Sequence, residues 1–435
     1  MSNSTSKNLL QVGAIGCGRV FNHAHMPAML RIPGIVLTGF YDTNQASAKG
    51  TLEHYRILVD EQIQALTSGP EYLGGQRLAD RLSASGRVSE LQKGLELASV
   101  YSSPEKLTSE VDIVAIFTPV LWHVPYAMMA VEHGAHAMSE KPMGRSWWEA
   151  RRLRDAVKRS KRLYQLSDDN VFIPRYQALR NVLESGLIGE VQALWISRGS
   201  HGGEVGWFWD PTASGGGCLM DYGTHAVTAT WFLLGYDKQP VMVKSTGIRK
   251  RQPTRSVEGR LQRVSVEDDA HFKVCFEDPK NRDLIVANIE ATWSWSELGT
   301  PSSGPRGYIL VEGTEGTVTG YVDEANDRDY LKVTRYGHGE KLIQVPTVKP
   351  ERESVEGEIR NFVECVRSEV PSILNEDVGL GVMEILGSAY LSELRGRVAV
   401  SPGEFREFAQ EVGSKYSSDM EAGAAIVSTL MKPYS

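Results

Sequence analysis

Val12-Gly13-Ala14-Ile15-Gly16-Cys17-Gly18-Arg19-Val20-Phe21 is the stretch on which the reading of this chain turns. An apolar run from Leu9 to Ile15 stops at Gly16-Cys17-Gly18, and a helical pattern follows from about Val20 to Arg31. Two glycines between a strand and a helix let the backbone turn tightly. They also let it approach a pyrophosphate, to which the first N–H groups of the helix can donate. The third glycine of a Gly-x-Gly-x-x-Gly fingerprint is absent, because Phe21 stands in its place, so the stretch alone also fits an ordinary strand–turn–helix.

Asp42 adds to it. It closes the next apolar run, Ile35 to Tyr41, 24 residues beyond Gly18. A carboxylate there can accept from the ribose hydroxyls of an adenosine and repels a 2′-phosphate. No arginine follows in Thr43-Asn44-Gln45, which favours NAD over NADP. The bland alternative is a turn aspartate.

Outward from this unit the pattern repeats. Val111 to Phe117 is a third apolar run, ending in Thr118-Pro119. A helix is expected from His123 to His133, stopped by Gly134, and Ala135 to Ser139 is a further strand. Apolar strands alternating with helices indicate a doubly wound parallel sheet covered on both faces, over residues 1–142. Residues 50–100 exceed what one strand–helix connection needs and read as an insertion, with helical sequence from Leu78 to Leu97.

Residues 143–435 read differently. After helices over Arg145–Lys161 and Pro174–Gly186, strands dominate: Val191–Ser197, Val241–Ile248, Ala270–Phe276, Leu284–Trp295, Tyr308–Glu312, Thr317–Val322 and Leu331–Tyr336. Several alternate polar and apolar residues, the mark of an antiparallel sheet with one covered face. Helices over Glu351–Ser368 and Glu376–Leu394 are expected to pack back on the body.

Composition narrows the function classes. A formal charge of −7 argues against a nucleic-acid binder. The basic cluster Arg249, Lys250, Arg251, Arg255, Arg260 and Arg263 reads as a solvated loop. Cys17, Cys218, Cys275 and Cys365 are scattered, which suits a reducing compartment and no zinc or disulfide framework. No signal segment and no apolar run of membrane length is seen, so a cytoplasmic protein without a membrane partner is expected. His23, His25, His133 and His136 lack a metal-ligand spacing, and no metal is expected.

Two further segments carry chemistry. Ser139-Glu140-Lys141-Pro142 leaves a strand at the carboxyl edge of the parallel sheet, where open α/β folds bind ligands. Gly215-Gly216-Gly217-Cys218-Leu219-Met220-Asp221-Tyr222-Gly223-Thr224-His225 opens an apolar helix that ends at Gly235, and Asp221 and His225, four apart, share a face. Each has a bland reading: a surface lysine, and a core histidine paired with Asp221.

Taken with the glycine turn, these motifs resemble the Gfo/Idh/MocA oxidoreductases, of the glucose–fructose oxidoreductase and inositol dehydrogenase type. Gly16-x-Gly18, Thr118-Pro119 with His123 four beyond, Glu140-Lys141-Pro142 and Asp221-x-x-x-His225 stand in the family's order. Glu184 to Glu190 and Val311 to Gly316 are lesser echoes. Val120 departs from the asparagine common after Thr-Pro, and the segment after the first helix is long. The resemblance implies an N-terminal Rossmann domain and a C-terminal α/β domain whose large, mostly antiparallel open sheet often serves homo-oligomer formation. It implies cofactor contacts from Gly16, Gly18, Arg19, Val20, Asp42, Thr118, Pro119, His123, Glu140 and Lys141. It also implies catalytic roles for Lys141, Asp221 and His225.

The expected activity is hydride transfer between NAD and a secondary hydroxyl of a sugar, glycoside or cyclic polyol. His225 is the expected base, Lys141 the stabiliser of the developing alkoxide, and Asp221 the residue that orients a second hydroxyl or steadies the imidazolium. Trp207 and Trp209, with Trp293 and Trp295, offer faces for a sugar ring, and His201 can reach a pocket; core packing is the plainer reading of each tryptophan. Two alternatives stand beside this one. The first is a glycoside-cleaving hydrolase or lyase that holds NAD tightly with no net redox. The second is a cofactor-binding regulator without turnover.

Overall fold

The computed structural model describes residues 9–68, 78–203, 205–294, 308–323, 328–345 and 350–434, the side chains of 78–84, 321–329 and 350–353 apart. Two sheets organise it. The first has six parallel strands: β1 (Leu10–Ile15), β2 (Ile35–Tyr41), β3 (Ser99–Val100), β4 (Ile113–Ile116), β5 (His136–Glu140) and β6 (Tyr164–Ser167). Their spatial order is β3-β2-β1-β4-β5-β6. Strand order reverses between β1 and β4, whose carboxyl ends form the crevice in which such sheets bind ligands. Burial explains the apolar runs: Ile113 to Ile116 are all buried, as are Ile35 to Phe40.

β6 lies beyond residue 142, where the sequence pattern placed the end of the first domain. The parallel sheet continues through the Trp147–Ser160 helix to Ser167. The Pro350–Ser368 helix also returns to it, and Val355, Ile359, Phe362, Val363 and Val366 share a core with β1 and β2. The two halves are therefore interleaved rather than divided at one point.

The expected insertion holds two long helices, Gln45–Ser68 and Leu78–Leu97. The second is anchored rather than decorative. Arg87 is buried and donates to the carbonyls of Met29, Leu30 and Ile35, and pairs with Glu90 at 2.8 Å. It thereby adds a donor to carbonyls at the end of the Met26–Arg31 helix, where Met29 also accepts from the Ile32 amide.

The second sheet has eight strands: β7 (Val191–Gly199), β8 (Gln239–Arg249), β11 (Asp269–Glu277), β12 (Leu284–Thr292), β13 (Ile309–Gly313), β14 (Gly316–Asp323), β15 (Arg328–Arg335) and β16 (Gly339–Val345). β9 (Thr254–Val257) and β10 (Arg260–Arg263) form a separate antiparallel hairpin. The order in the large sheet is β16-β15-β14-β13-β7-β12-β11-β8, with β7 and β12 its parallel pair. Alternate residues of β12 and β13 are buried, as the alternation in sequence requires; the Cys218–Leu234 helix packs on β12 and β7 and the Glu376–Leu394 helix on β8. β16, the β9–β10 hairpin and the terminal helices Pro402–Gly413 and Asp419–Met431 were not foreseen from the pattern. All four cysteines are free, and no helix among the described residues is long and apolar enough to cross a membrane.

Candidate active site

The glycine turn is built as its sequence demands. Gly16 has φ +92°, and a Cβ there would stand 2.7 Å from the backbone of Phe117 at the end of β4. Gly18 has open space where a Cβ would stand, so a ligand can approach its backbone from that side. Arg19 and Val20 are exposed at the helix start. Phe21, in place of the third glycine, is fully buried and stacks on Phe117 with ring centroids 5.0 Å apart. The close packing that a glycine normally permits is thus replaced by an aromatic plug. Asn22 locks the turn, donating to the carbonyls of Cys17 and Gly18 at 2.9 Å.

Asp42 closes the turn from β2. Its Oδ2 accepts from the Cys17 amide at 2.9 Å and its Oδ1 from the Asn44 amide at 2.8 Å. The carboxylate is half-exposed at the crevice, with lone pairs left for ribose hydroxyls. These residues fit a dinucleotide: a helix start, an open glycine and an acid at the end of the second strand.

Thr118 and Pro119 are half-exposed beside the turn. His123 is not. It is 1% exposed, with Nδ1 2.8 Å from the carbonyl of Pro142 and Nε2 2.9 Å from that of Thr118. Burial depresses its pKa, the two carbonyls opposing that. The expected cofactor contact is therefore corrected: His123 sits beneath the crevice and ties two of its edges together. Glu140 receives His25 Nε2 at 2.7 Å, and this neighbour, with Lys141 and His123, outweighs burial and holds its carboxyl below the ordinary range.

Lys141 reaches from the end of β5 to the start of the Cys218–Leu234 helix, where its Nζ pairs with Asp221 Oδ1. Burial disfavours the ammonium, but Asp221 and then Glu140 more than restore it, so the Lys141 pKa is raised. Asp221 Oδ2 accepts from Trp293 Nε1 at 2.9 Å, and its pKa is lowered against the pull of burial. Asp221 is thus committed to Lys141 and Trp293, and the imidazole it was expected to steady has another partner. His225 Nδ1 lies 2.7 Å from Asp168 Oδ1.

Asp168 was missed from sequence. It follows β6 and is fully buried. Burial works to raise its pKa, but His225, Asn170 and Lys141 bring it well below the usual carboxylate range. Asn170, on the turn Asp169–Phe172, contacts both Asp168 and His225 and accepts from Arg198 of β7. The available signal was position: an acidic pair just past a parallel strand, at the carboxyl edge of the sheet. Ligand atoms of Asp168, Asp169 and His225 come within 4.8 Å of one another, a spacing that can hold a cation, although Ser354 also donates to Asp169 Oδ2 at 2.7 Å.

The helix bearing Asp221 and His225 is held from behind. Glu267 Oε1 accepts from the amides of Gly217 and Leu219 at 2.9 and 3.0 Å and from the Tyr390 hydroxyl at 2.7 Å. Even with these donors, burial pushes its carboxyl up to about 7.

The aromatic readings divide. Trp209 is 5% exposed, donates to the carbonyl of Gly203 at 3.0 Å and packs on Trp293 at 4.7 Å. It is core, and the expectation of a sugar-facing ring there is corrected. Trp207 is half-buried and stacks on Phe208 at 3.8 Å. His201 is exposed, and its carbonyl accepts from Arg255 at 3.0 Å. Trp295 lies outside the described residues. The basic cluster is divided. Arg249 ends β8, and it, Arg251, Arg260 and Arg263 are exposed, as a solvated stretch would be, with Arg260 and Arg263 on the β9–β10 hairpin. Arg255 of β9 is the exception: it pairs with Asp268 at 2.9 Å and lies 5.2 Å over the Trp209 ring, while the exposed Arg251 pairs with Asp269 at 2.7 Å.

Comparison with known proteins agrees with this fold. The model described as "Oxidoreductase family, NAD-binding Rossmann fold" matches residues 77–167, and that of the Gfo/Idh/MocA C-terminal domain matches residues 176–319. The chain belongs to the Gfo/Idh/MocA oxidoreductase family. Among curated Gfo/Idh/MocA relatives, the D-glucoside 3-dehydrogenase of Escherichia coli is 28% identical over 197 residues, 40% of this chain and 56% of that protein. The levoglucosan dehydrogenase of Pseudarthrobacter phenanthrenivorans is 26% identical over 244 residues, 52% of this chain and 58% of that protein. The chain thus spans less than two thirds of either relative's length. The aldose-aldose oxidoreductase of Caulobacter crescentus shares the fold, with a TM-score of 0.67 over 90% of this chain and 99% of that one at 19% identity.

Proposed function

We propose that this Gfo/Idh/MocA member is an NAD-dependent oxidoreductase that transfers a hydride between the cofactor and a secondary hydroxyl of a sugar, glycoside or cyclic polyol. One observation carries the reading. The Lys141–Asp221 ion pair and His225, set on one helix face, stand at the carboxyl edge of a parallel sheet that also holds the glycine turn. The sugar-dehydrogenase names of the curated relatives support the substrate class.

The cofactor, when bound, supplies the hydride acceptor. Gly16, Gly18, Arg19 and Val20 would hold its pyrophosphate, Asp42 its ribose, and Thr118, Pro119 and Glu140 would border the crevice beyond. The acid at Asp42 favours NAD over NADP, because a 2′-phosphate would meet a carboxylate. His225 takes the hydroxyl proton as the alcohol is oxidised and returns it in the reverse direction. Lys141, kept an ammonium by Asp221, donates to the same oxygen and stabilises the negative charge that develops on it. Asp221 thereby acts through Lys141. Trp207 and His201 are proposed to border the substrate. Pairing of copies through the open face of the eight-stranded sheet belongs to the same reading.

The test is incubation of the protein with NAD and a panel of inositols, free sugars and glycosides, followed at 340 nm. A rise with one or a few compounds is expected. A flat trace accompanied by cleaved or eliminated products would replace net redox with a transient oxidation.

A further inference from the structure

Which atom of His225 exchanges the proton follows from the groups packed around its ring. Asp168 Oδ1 lies 2.7 Å from Nδ1, and a buried carboxylate offers acceptors alone. Asn170 also touches Nδ1, through its Nδ2, so two partners compete for one nitrogen. Arg198 fixes the orientation of that amide. Its Nη2 contacts Asn170 Oδ1, and a guanidinium has no acceptor, so the amide oxygen must face Arg198 and the NH2 must face Asp168 and His225.

Two arrangements remain. In one, Nδ1 carries a proton and donates to Asp168, while the Asn170 NH2 finds its acceptor in Asp168 Oδ1 at 3.2 Å. In the other, Nδ1 is bare and accepts from Asn170, with its lone pair set against a carboxylate oxygen at 2.7 Å. The first forms a charge-assisted hydrogen bond to a carboxylate and sets the Asn170 NH2 beside the Nδ1 proton; the second satisfies that NH2 but opposes a lone pair to a buried carboxylate oxygen, the costlier contact.

We infer that Asp168 is the positioning residue that fixes the proton of His225 on Nδ1, leaves Nε2 as the atom that takes the substrate's proton, and stabilises the imidazolium so formed. The inference rests on the proposed role of His225 as base. Asp221, four residues ahead on the same helix, does not set the tautomer, because Lys141 and Trp293 occupy its carboxylate; its charge acts on the ring only through space.

The test reads the ring directly, in protein labelled with ¹⁵N-histidine and saturated with NADH, with His225→Ala identifying the signal by its loss. The expected spectrum is a protonated Nδ1 and a bare Nε2 in the neutral ring; a protonated Nε2 would overturn the assignment. On a substrate from the panel, Asp168→Asn should lower kcat about 10²-fold or more with KM, NADH affinity and Tm little changed. The isosteric amide keeps the shape and loses the charge, so a merely structural Asp168 would leave Asp168→Asn within about threefold of the parent, and that result overturns the proposal. Loss of turnover in EDTA, with the His225 signal shifting only when MgCl2 is added, would also overturn it by assigning Asp168, Asp169 and His225 to a cation. Near-normal turnover of His225→Ala would instead remove the base itself.

Discussion

The two ends of the crevice are made of different materials. At the cofactor end the backbone does the work: Gly16 turns with φ +92°, Gly18 leaves space, and side chains such as Asn22 and Asp42 serve mainly to hold that backbone. At the opposite end the side chains are the site, and Lys141, Asp168 and the Asp221–His225 helix come from separate elements to form paired charges. Backbone sites are specified locally by where glycine is required. Side-chain sites are specified by how distant segments meet. Perturbing the first should therefore damage binding and folding together, whereas perturbing the second should damage turnover while binding survives.

The largest effect is expected at Gly16. A methyl group there meets the backbone of Phe117, which cannot swing away, and the residue must keep φ +92°. Gly16→Ala should destabilise the protein by about 2–4 kcal/mol and weaken NADH about 100-fold or more, read by thermal melting and fluorescence titration. Unchanged affinity would mean that the turn is not the cofactor site.

Next comes a change behind the side-chain end, expected to alter stability and its pH dependence. Glu267 has an ordinary value of 4.5 and is raised to about 7 by burial. Between those values the folded protein keeps a proton that the unfolded chain has released. Its contribution is therefore fully present below pH 4.5 and is lost as pH rises through about 7, by about 3 kcal/mol in all. Glu267→Gln can still accept from Gly217, Leu219 and Tyr390 without titrating, so the fall in Tm between pH 5 and pH 8 should shrink. An unaltered fall would show that other groups set it.

A smaller effect is expected at Asp42. Asp42→Ala removes the acceptor for the Cys17 amide and for a ribose, and should weaken NADH about 10- to 30-fold while narrowing its advantage over NADPH. An unchanged NADH-to-NADPH ratio would leave the cofactor preference without its residue.

The same contrast governs what was legible in the sequence. The Rossmann order, the glycine turn and Asp42 could be read because strand, glycines and acid lie close together in the chain and each has a local physical reason. Lys141, Asp221 and His225 were legible as a set through the family resemblance, but their pairing was not. Asp221 and His225 share a helix face, yet one turns to Lys141 and the other to Asp168. Asp168-Asp169-Asn170 looks like a solvated turn because β6 before it is four residues long and contains Gln165 and Ser167. Both are buried, and Gln165 is satisfied by the carbonyl of Glu358 and the hydroxyl of Ser372, contacts that no local pattern predicts. Trp209 and Arg255 are misread for the same reason, since Arg255 finds Asp268 and Trp209 only after the sheet has formed.

The measurement that bears most directly on the account is a paired one on His225→Ala: NADH affinity by fluorescence and turnover at 340 nm on a panel substrate. The account predicts unchanged NADH affinity with turnover lowered about 10²- to 10⁴-fold, because the backbone site is intact and the proton acceptor is gone. Turnover near that of the parent protein, or affinity and turnover lost in parallel, would contradict it.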